Sequence, residues 1–428
     1  MSKLNETKKK LDAVSPSFCL AKWLQVTLHL QNGHTHSCHH PNTHKIPIEE
    51  LSNPSALHNT KYKKQLREQM LGGVRPEECH YCWNLEDAGS FSDRTFKSAD
   101  CFACDKFDKV IDHKLDNINP SSLEVSFDYT CNLKCAYCAP HISSKWMEEV
   151  KQYGGYPTTR KFNNLEHIKQ QDKMPIPNRE DNPYIEAFWE WWPDLVDDLY
   201  DFRITGGEPL LSKDFWEVLD YLEANPKPNL RFAVNTNMSV PFNLIEKFTN
   251  KVKILSEKKC IKTLEVYTSI DTVGPQAEYI RYGLNYTKFQ NNIKYFLENT
   301  KPLHKIQLSF MITVNALSMS GLLNLMKYIL ELKSNYGNIS IDTPYLNHPY
   351  HMSVRILTKE FTHYIKDAIM FARDNRSASG FSQNEVTRLE RILIWMKADN
   401  IPFDLKEARK DFVLFFNEYD RRKGTSFA

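Results

Sequence analysis

The chain has 428 residues, with 55 basic and 53 acidic side chains for a formal net charge of +2, and 10 cysteines. That length allows about two or three domains, and the near-neutral balance argues against a nucleic-acid or anionic-membrane partner. The first ten residues lack the apolar run of a secretory signal and no stretch approaches about 18 uninterrupted apolar residues, so a cytoplasmic protein without membrane association is expected. The cysteines fall in tight groups in a long chain without an export signal, which favours metal ligation over a disulfide framework.

In chain order, the first group is Cys19, Cys38, Cys79 and Cys82. Alternating apolar residues Leu24, Val26, Leu28 and Leu30 run into Asn32-Gly33, a hairpin signal that brings Cys19 and Cys38 near one another. With Cys79 and Cys82 the four thiolates make a closed metal site, and the residues alone suit zinc as well as an iron-sulfur cluster. His34, His36, His39 and His40 beside Cys38 are read as exposed loop residues. Cys101 and Cys104 can bind a further metal, complete the first site, or be two ordinary thiols. Residues 1–110 are thus expected to form a small cysteine-rich domain with its linker.

From about residue 122, short apolar runs alternate with helical patterns, the signature of parallel strands joined by helices. Strands are expected at 123–127, 201–205, 230–235, 263–270, 305–314 and 339–342, and helices at 214–224, 285–298 and 319–333. Six such units predict an α/β fold, an open partial barrel over residues 111–350 with an inserted region at 141–200. Within the insert, 184–192 reads as a helix, and Phe188, Trp189, Trp191 and Trp192 are either packing residues or a substrate-covering lid. Residues 351–428 are expected to be a helical extension, with helices at 361–372, 384–397 and 405–419. Cys260 reads as an ordinary thiol.

Two motifs carry the chemistry. In Cys131-Asn-Leu-Lys-Cys135-Ala-Tyr-Cys138, three thiolates can hold three corners of a four-iron cluster and leave one iron open, whereas structural zinc closes its tetrahedron with a fourth protein ligand. Downstream, the strand expected at 201–205 ends in Arg203-Ile-Thr-Gly-Gly-Glu-Pro-Leu-Leu211. Gly206 and Gly207 allow close backbone approach, Pro209 fixes the exit, and Glu208 supplies an acceptor. Other strand ends are polar as well: Asn235 with Asn237, Ser269 with Asp271, Asn315 and Asp342.

The CxxxCxxC triplet with Tyr137 inside it, followed by Gly-Gly-Glu-Pro, resembles the motifs of radical S-adenosylmethionine (SAM) enzymes. The resemblance implies a partial (β/α)6 barrel in which Cys131, Cys135 and Cys138 bind a [4Fe-4S] cluster. It implies that Tyr137, Gly206, Gly207, Glu208, Pro209, Asn235, Ser269, Asp271 and Arg281 surround SAM, with Glu208 near its ammonium and Ser269 and Arg281 at its carboxylate and ribose. The segment holding Cys19, Cys38, Cys79 and Cys82, with the stretch 62–76 before Cys79, resembles the SPASM or twitch domain, although that cap more often follows the barrel. On this resemblance the four cysteines hold a second, auxiliary [4Fe-4S] cluster that relays electrons. The implied activity is reductive cleavage of SAM to a 5′-deoxyadenosyl radical, which abstracts hydrogen from a peptide, protein or small metabolite. A flavodoxin or ferredoxin is the implied electron donor. The alternative is a zinc-stabilised cysteine-cluster binding protein without radical chemistry. No residue pattern singles out a catalytic side chain or names the substrate.

Overall fold

The computed structural model describes residues 2–303 and 305–427; the expected outer domain limits at 1 and 428 lie outside them. The chain divides into two compact units. One holds the residues up to Asp128 with Pro175–Gly206 and Lys227–Ala233, and the other holds Tyr129–Met174, Gly207–Pro226 and residues 234–427. These units do not coincide with the divisions expected at residues 110 and 350.

In the first unit the expected hairpin forms: Gln25–His29 runs antiparallel to His34–His36. Gly33 turns it with φ +67°, and a Cβ there would lie 2.1 Å from the Tyr184 ring, so only glycine fits. The hairpin is not a free-standing cap. Gln25–His29 pairs in parallel with Ser122–Ser126, which pairs in parallel with Asp201–Thr205. Val26, Leu28, Leu123 and Val125 are thereby all buried, and this long-range pairing carries the unit past residue 110. His34 and His36 are strand residues, His34 buried and His36 half-buried, which corrects their reading as exposed loop residues. Helix Pro183–Asp198 begins where the Asn182 side chain accepts from the Tyr184 and Ile185 amides. Its Phe188 and Trp192 pack on Phe127 and Phe202, which favours the packing role for this aromatic cluster.

The second unit carries parallel strands Ile261–Ser269, Ile306–Met311 and Ile339–Asp342. Each of the six expected strands is present within a few residues of its expected limits, and the architecture is mixed α/β with parallel pairing. Leu264, Val266, Leu308, Phe310 and Ile341 face the buried side. The alternate residues Glu265, Tyr267, Gln307, Ser309 and Ser340 line a polar cavity of about 510 Å³. Helix Phe242–Glu257, which the sequence reading did not anticipate, buries Ile245, Phe248, Val252 and Leu255 at helical spacing.

The C-terminal helices span Thr362–Asp374, Gln383–Lys397 and Leu405–Lys423. The last is more than an outer extension. Phe415 and Tyr419 join a core with Trp146, Tyr156 and Ala136, and Lys423 Nζ lies 2.8 Å from the buried carboxylate of Glu149, which also binds Lys134 at 2.8 Å. Lys134 sits inside the cysteine triplet, so the chain's last helix braces that loop. No helix among the described residues is long and apolar enough to cross a membrane.

Candidate active site and cysteine centres

The loop bearing Cys131, Cys135 and Cys138 is fixed mainly by its own backbone. Ser144 Oγ accepts from the Cys131 amide at 3.1 Å, Trp146 Nε1 donates to the Cys135 carbonyl at 2.9 Å, and Asn163 Nδ2 donates to the Cys138 carbonyl at 3.2 Å. Lys134–Cys135 forms a two-residue antiparallel ladder with Arg281–Tyr282 that sets Cys135 opposite Arg281. All three side chains remain half-exposed. Burial pushes the Cys131 thiol up to about 12, and the neighbouring Cys135 charge adds to it; Cys135 and Cys138 are raised as well, first by burial.

Arg281 is buried and makes four hydrogen bonds. Its Nε and Nη2 each lie 3.0 Å from an oxygen of Asp271, Nη1 donates to Cys135 Sγ at 3.6 Å, and Nη2 also donates to Tyr137 Oη. Tyr137 Oη in turn donates to Asp271 at 2.9 Å, and the Thr313 amide donates to the same carboxylate at 3.2 Å. Tyr137, Asp271 and Arg281 are therefore brought together around Cys135. To reach a cofactor carboxylate, the guanidinium would have to leave a bidentate, buried ion pair.

The Gly-Gly-Glu-Pro turn joins the same loop. Gly206 adopts φ +122°, and a Cβ there would lie 2.7 Å from Ser126 Oγ; at Gly207 the methyl would lie 2.1 Å from the Thr130 carbonyl. With no side chain in the way, the Glu208 amide donates to that carbonyl at 2.7 Å. The Glu208 carboxylate is buried and accepts from the Leu210 amide at 3.1 Å, Thr236 Oγ1 at 2.6 Å and the Asn237 amide at 2.7 Å. Burial lifts its pKa to about 7 against those hydrogen bonds, because desolvation of the charged form outweighs three donors. Asn237 Nδ2 donates to Asn132 Oδ1 at 2.9 Å and so ties Glu208's support to the cysteine loop. Pro209 starts a buried 3-10 turn, while Asn235 and Ser269 stand half-buried near the carboxyl ends of their strands. Asn132, Ser144 and Trp146 were not singled out from sequence, since a variable position within a motif and two residues after it carry no chemical signature.

In the first unit, Cys19, Cys38, Cys79 and Cys82 line one cavity together with Lys22, His40, Asp93, Arg94 and Lys97. Cys101 and Cys104 are not among its lining residues; Cys101 is exposed and Cys104 half-exposed. Burial pushes Cys19 up to about 12 and Cys79 up to about 11, so a metal would displace protons from these thiols. Among the described residues, the only trio of His, Cys, Asp or Glu ligand atoms within 4.8 Å of one another is His39, His40 and Asp93. Zn–S bonds of about 2.3 Å place tetrahedral thiolates about 3.8 Å apart. Neither cysteine group is drawn together that tightly. The cavity among the four thiols measures about 30 Å³. The four N-terminal thiols have the chemistry of a closed metal site, and the donor set alone fits zinc and an iron-sulfur cluster alike.

No family model matches the chain, and no curated protein does. Among solved structures, Streptococcus suis SuiB bound to S-adenosylmethionine is 16% identical with a TM-score of 0.36, over 82% of this chain and 70% of that one. SuiB bound to its precursor peptide SuiA is 14% identical with a TM-score of 0.36, over 91% and 77% of the two chains. Native anSMEcpe, with bound AdoMet and the Cp18Cys peptide, is 17% identical with a TM-score of 0.34, over 60% of this chain and 59% of that one. Likenesses this distant carry no argument about function, which rests on the site itself.

Proposed function

We propose that the chain is a radical SAM enzyme with an auxiliary cluster at its N-terminal cysteines, acting on a peptide, protein or small metabolite. The observation that carries this reading is the hydrogen-bond path from the CxxxCxxC loop to the Gly-Gly-Glu-Pro carboxylate, Asn132 to Asn237 to Glu208. It ties the loop that bears three half-exposed thiols to the buried carboxylate of Glu208 within the second unit. A [4Fe-4S] cluster held by Cys131, Cys135 and Cys138 would supply the single electron for reductive cleavage of the SAM sulfonium bond to methionine and a 5′-deoxyadenosyl radical able to take a hydrogen atom from substrate.

The chain's own residues hold and orient. Cys131, Cys135 and Cys138 are the cluster ligands, and Arg281 gives Cys135 Sγ an N–H donor while Asp271 and Tyr137 fix the guanidinium. Glu208, once ionised, offers negative charge to the SAM ammonium, and Gly206 and Gly207 keep the wall free of side chains. Cys19, Cys38, Cys79 and Cys82 would all be protein ligands to the auxiliary cluster, which favours electron relay over substrate coordination.

Anaerobically purified protein should be brown, contain about eight irons per chain and, when reduced, form 5′-deoxyadenosine from SAM. Cys135→Ala should abolish that product and leave the N-terminal iron in place. Colourless protein loaded with zinc, or iron protein that never cleaves SAM, overturns the proposal.

A further inference from the structure

We infer that Lys22 and Glu78 form an opposed charge pair that sets the reduction potential of the N-terminal cluster, Lys22 raising it and Glu78 lowering it. The inference rests on the auxiliary-cluster reading above and adds the residues that tune it. Lys22 follows Cys19 by three residues in a four-residue helix, Ala21–Leu24, and is 3% exposed. Its Nζ lies 3.8 Å from Cys79 Sγ and donates to Glu78, whose other oxygen accepts from Tyr62 Oη at 2.8 Å. The lysine backbone is pinned too: its carbonyl accepts from Arg67 Nε at 3.1 Å, and its amide donates to the Cys19 carbonyl at 3.0 Å.

The other cations lining this cavity act more weakly. Arg94 is held by two carboxylates, Glu86 at 2.9 Å and Asp12 at 2.8 Å, where Lys22 has one. Lys97 donates to the Gln25 amide oxygen and is half-exposed, so solvent screens it. Lys22 is the buried cation that touches a ligand sulfur. Reducing a four-thiolate [4Fe-4S] cluster adds one electron and no proton, taking its total charge, thiolates included, from −2 to −3. A fixed buried cation stabilises the more negative form, and a fixed carboxylate destabilises it.

The test is a redox titration of the full-length holoprotein with dithionite as electron source, followed by electron paramagnetic resonance. The N-terminal signal is identified by its loss in Cys79→Ala, and iron content is measured in every sample. In Lys22→Met the reduction equilibrium of that signal should fall about tenfold, which is 59 mV for one electron. In Glu78→Gln it should move the opposite way. The triplet signal should stay put in both. If Lys22→Met fails to load iron, Glu78→Gln alone still decides the sign. Iron-replete variants whose potentials do not move, or move in the same direction, refute the role of the pair. A wild-type protein with no N-terminal cluster signal refutes the auxiliary-cluster reading itself, and the pair's role with it.

Discussion

Glu208→Gln isolates the ionisation of the buried carboxylate. The folded state holds the Glu208 proton up to a pKa of about 7, against an ordinary value of 4.5. The folded protein therefore binds this proton more tightly than the unfolded chain. The stability it contributes is fully present below about 4.5 and is lost as pH rises towards 7. Between pH 5 and pH 8 the wild type forfeits about two units' worth, about 2.7 kcal/mol at roughly 1.36 kcal/mol per unit, and the glutamine variant forfeits none of it. Glutamine also leaves one of the three donors, at Leu210, Thr236 or Asn237, facing an NH₂, which costs about 1–3 kcal/mol. That cost does not vary with pH and cancels when the two pH values are compared. With an unfolding entropy of about 2.1 cal/mol/K per residue, the double difference corresponds to about 3 °C in Tm for this chain. Scanning calorimetry of both proteins, in matched states of metal loading at pH 5, 6, 7 and 8, reads it directly. Wild-type and variant Tm curves that run parallel across that range would refute the raised pKa. Saturating SAM should flatten the wild-type slope, because an ammonium beside Glu208 favours its ionised form.

Two further substitutions probe the cysteine loop. Arg281→Ala strips the buried Asp271 carboxylate of its bidentate partner and should cost about 3–5 kcal/mol in urea unfolding; a loss below about 1 kcal/mol would mean that Asp271 is neutral or solvated. Gly207→Ala drives a methyl to 2.1 Å from the Thr130 carbonyl, next to Cys131, and the backbone must shift at a cost of about 1–3 kcal/mol. Iron at the triplet should fall while iron at the N-terminal cysteines is retained, as read by iron analysis in Cys79→Ala and wild-type backgrounds.

What the sequence disclosed and what it withheld follow from the range of the interactions involved. The strands Asp201–Thr205 and Ile339–Asp342 coincide with their expected limits because short apolar alternation ends at polar or glycine residues close by. Asn32-Gly33 announced a hairpin because the turn needs a positive φ at the glycine. The glycines of Gly-Gly-Glu-Pro were legible because close backbone approach demands that residue type. Partners chosen across long separations were not legible. The parallel pairing of Gln25–His29 with Ser122–Ser126, almost a hundred residues on, depends on which buried faces match and leaves no local trace. The same limit explains Arg281. Its sequence context suggested a carboxylate-binding guanidinium, and a carboxylate is what it holds, but the one supplied is Asp271, ten residues earlier. Only the two-residue ladder that sets Cys135 opposite Arg281 reveals that this ion pair sits against the Cys135 sulfur. A buried Arg–Asp pair in that position gives the guanidinium a carboxylate from its own chain while an N–H rests on Cys135 Sγ. In Arg281→Lys, which keeps the charge but loses the fork, cluster spectra should therefore change before SAM affinity does.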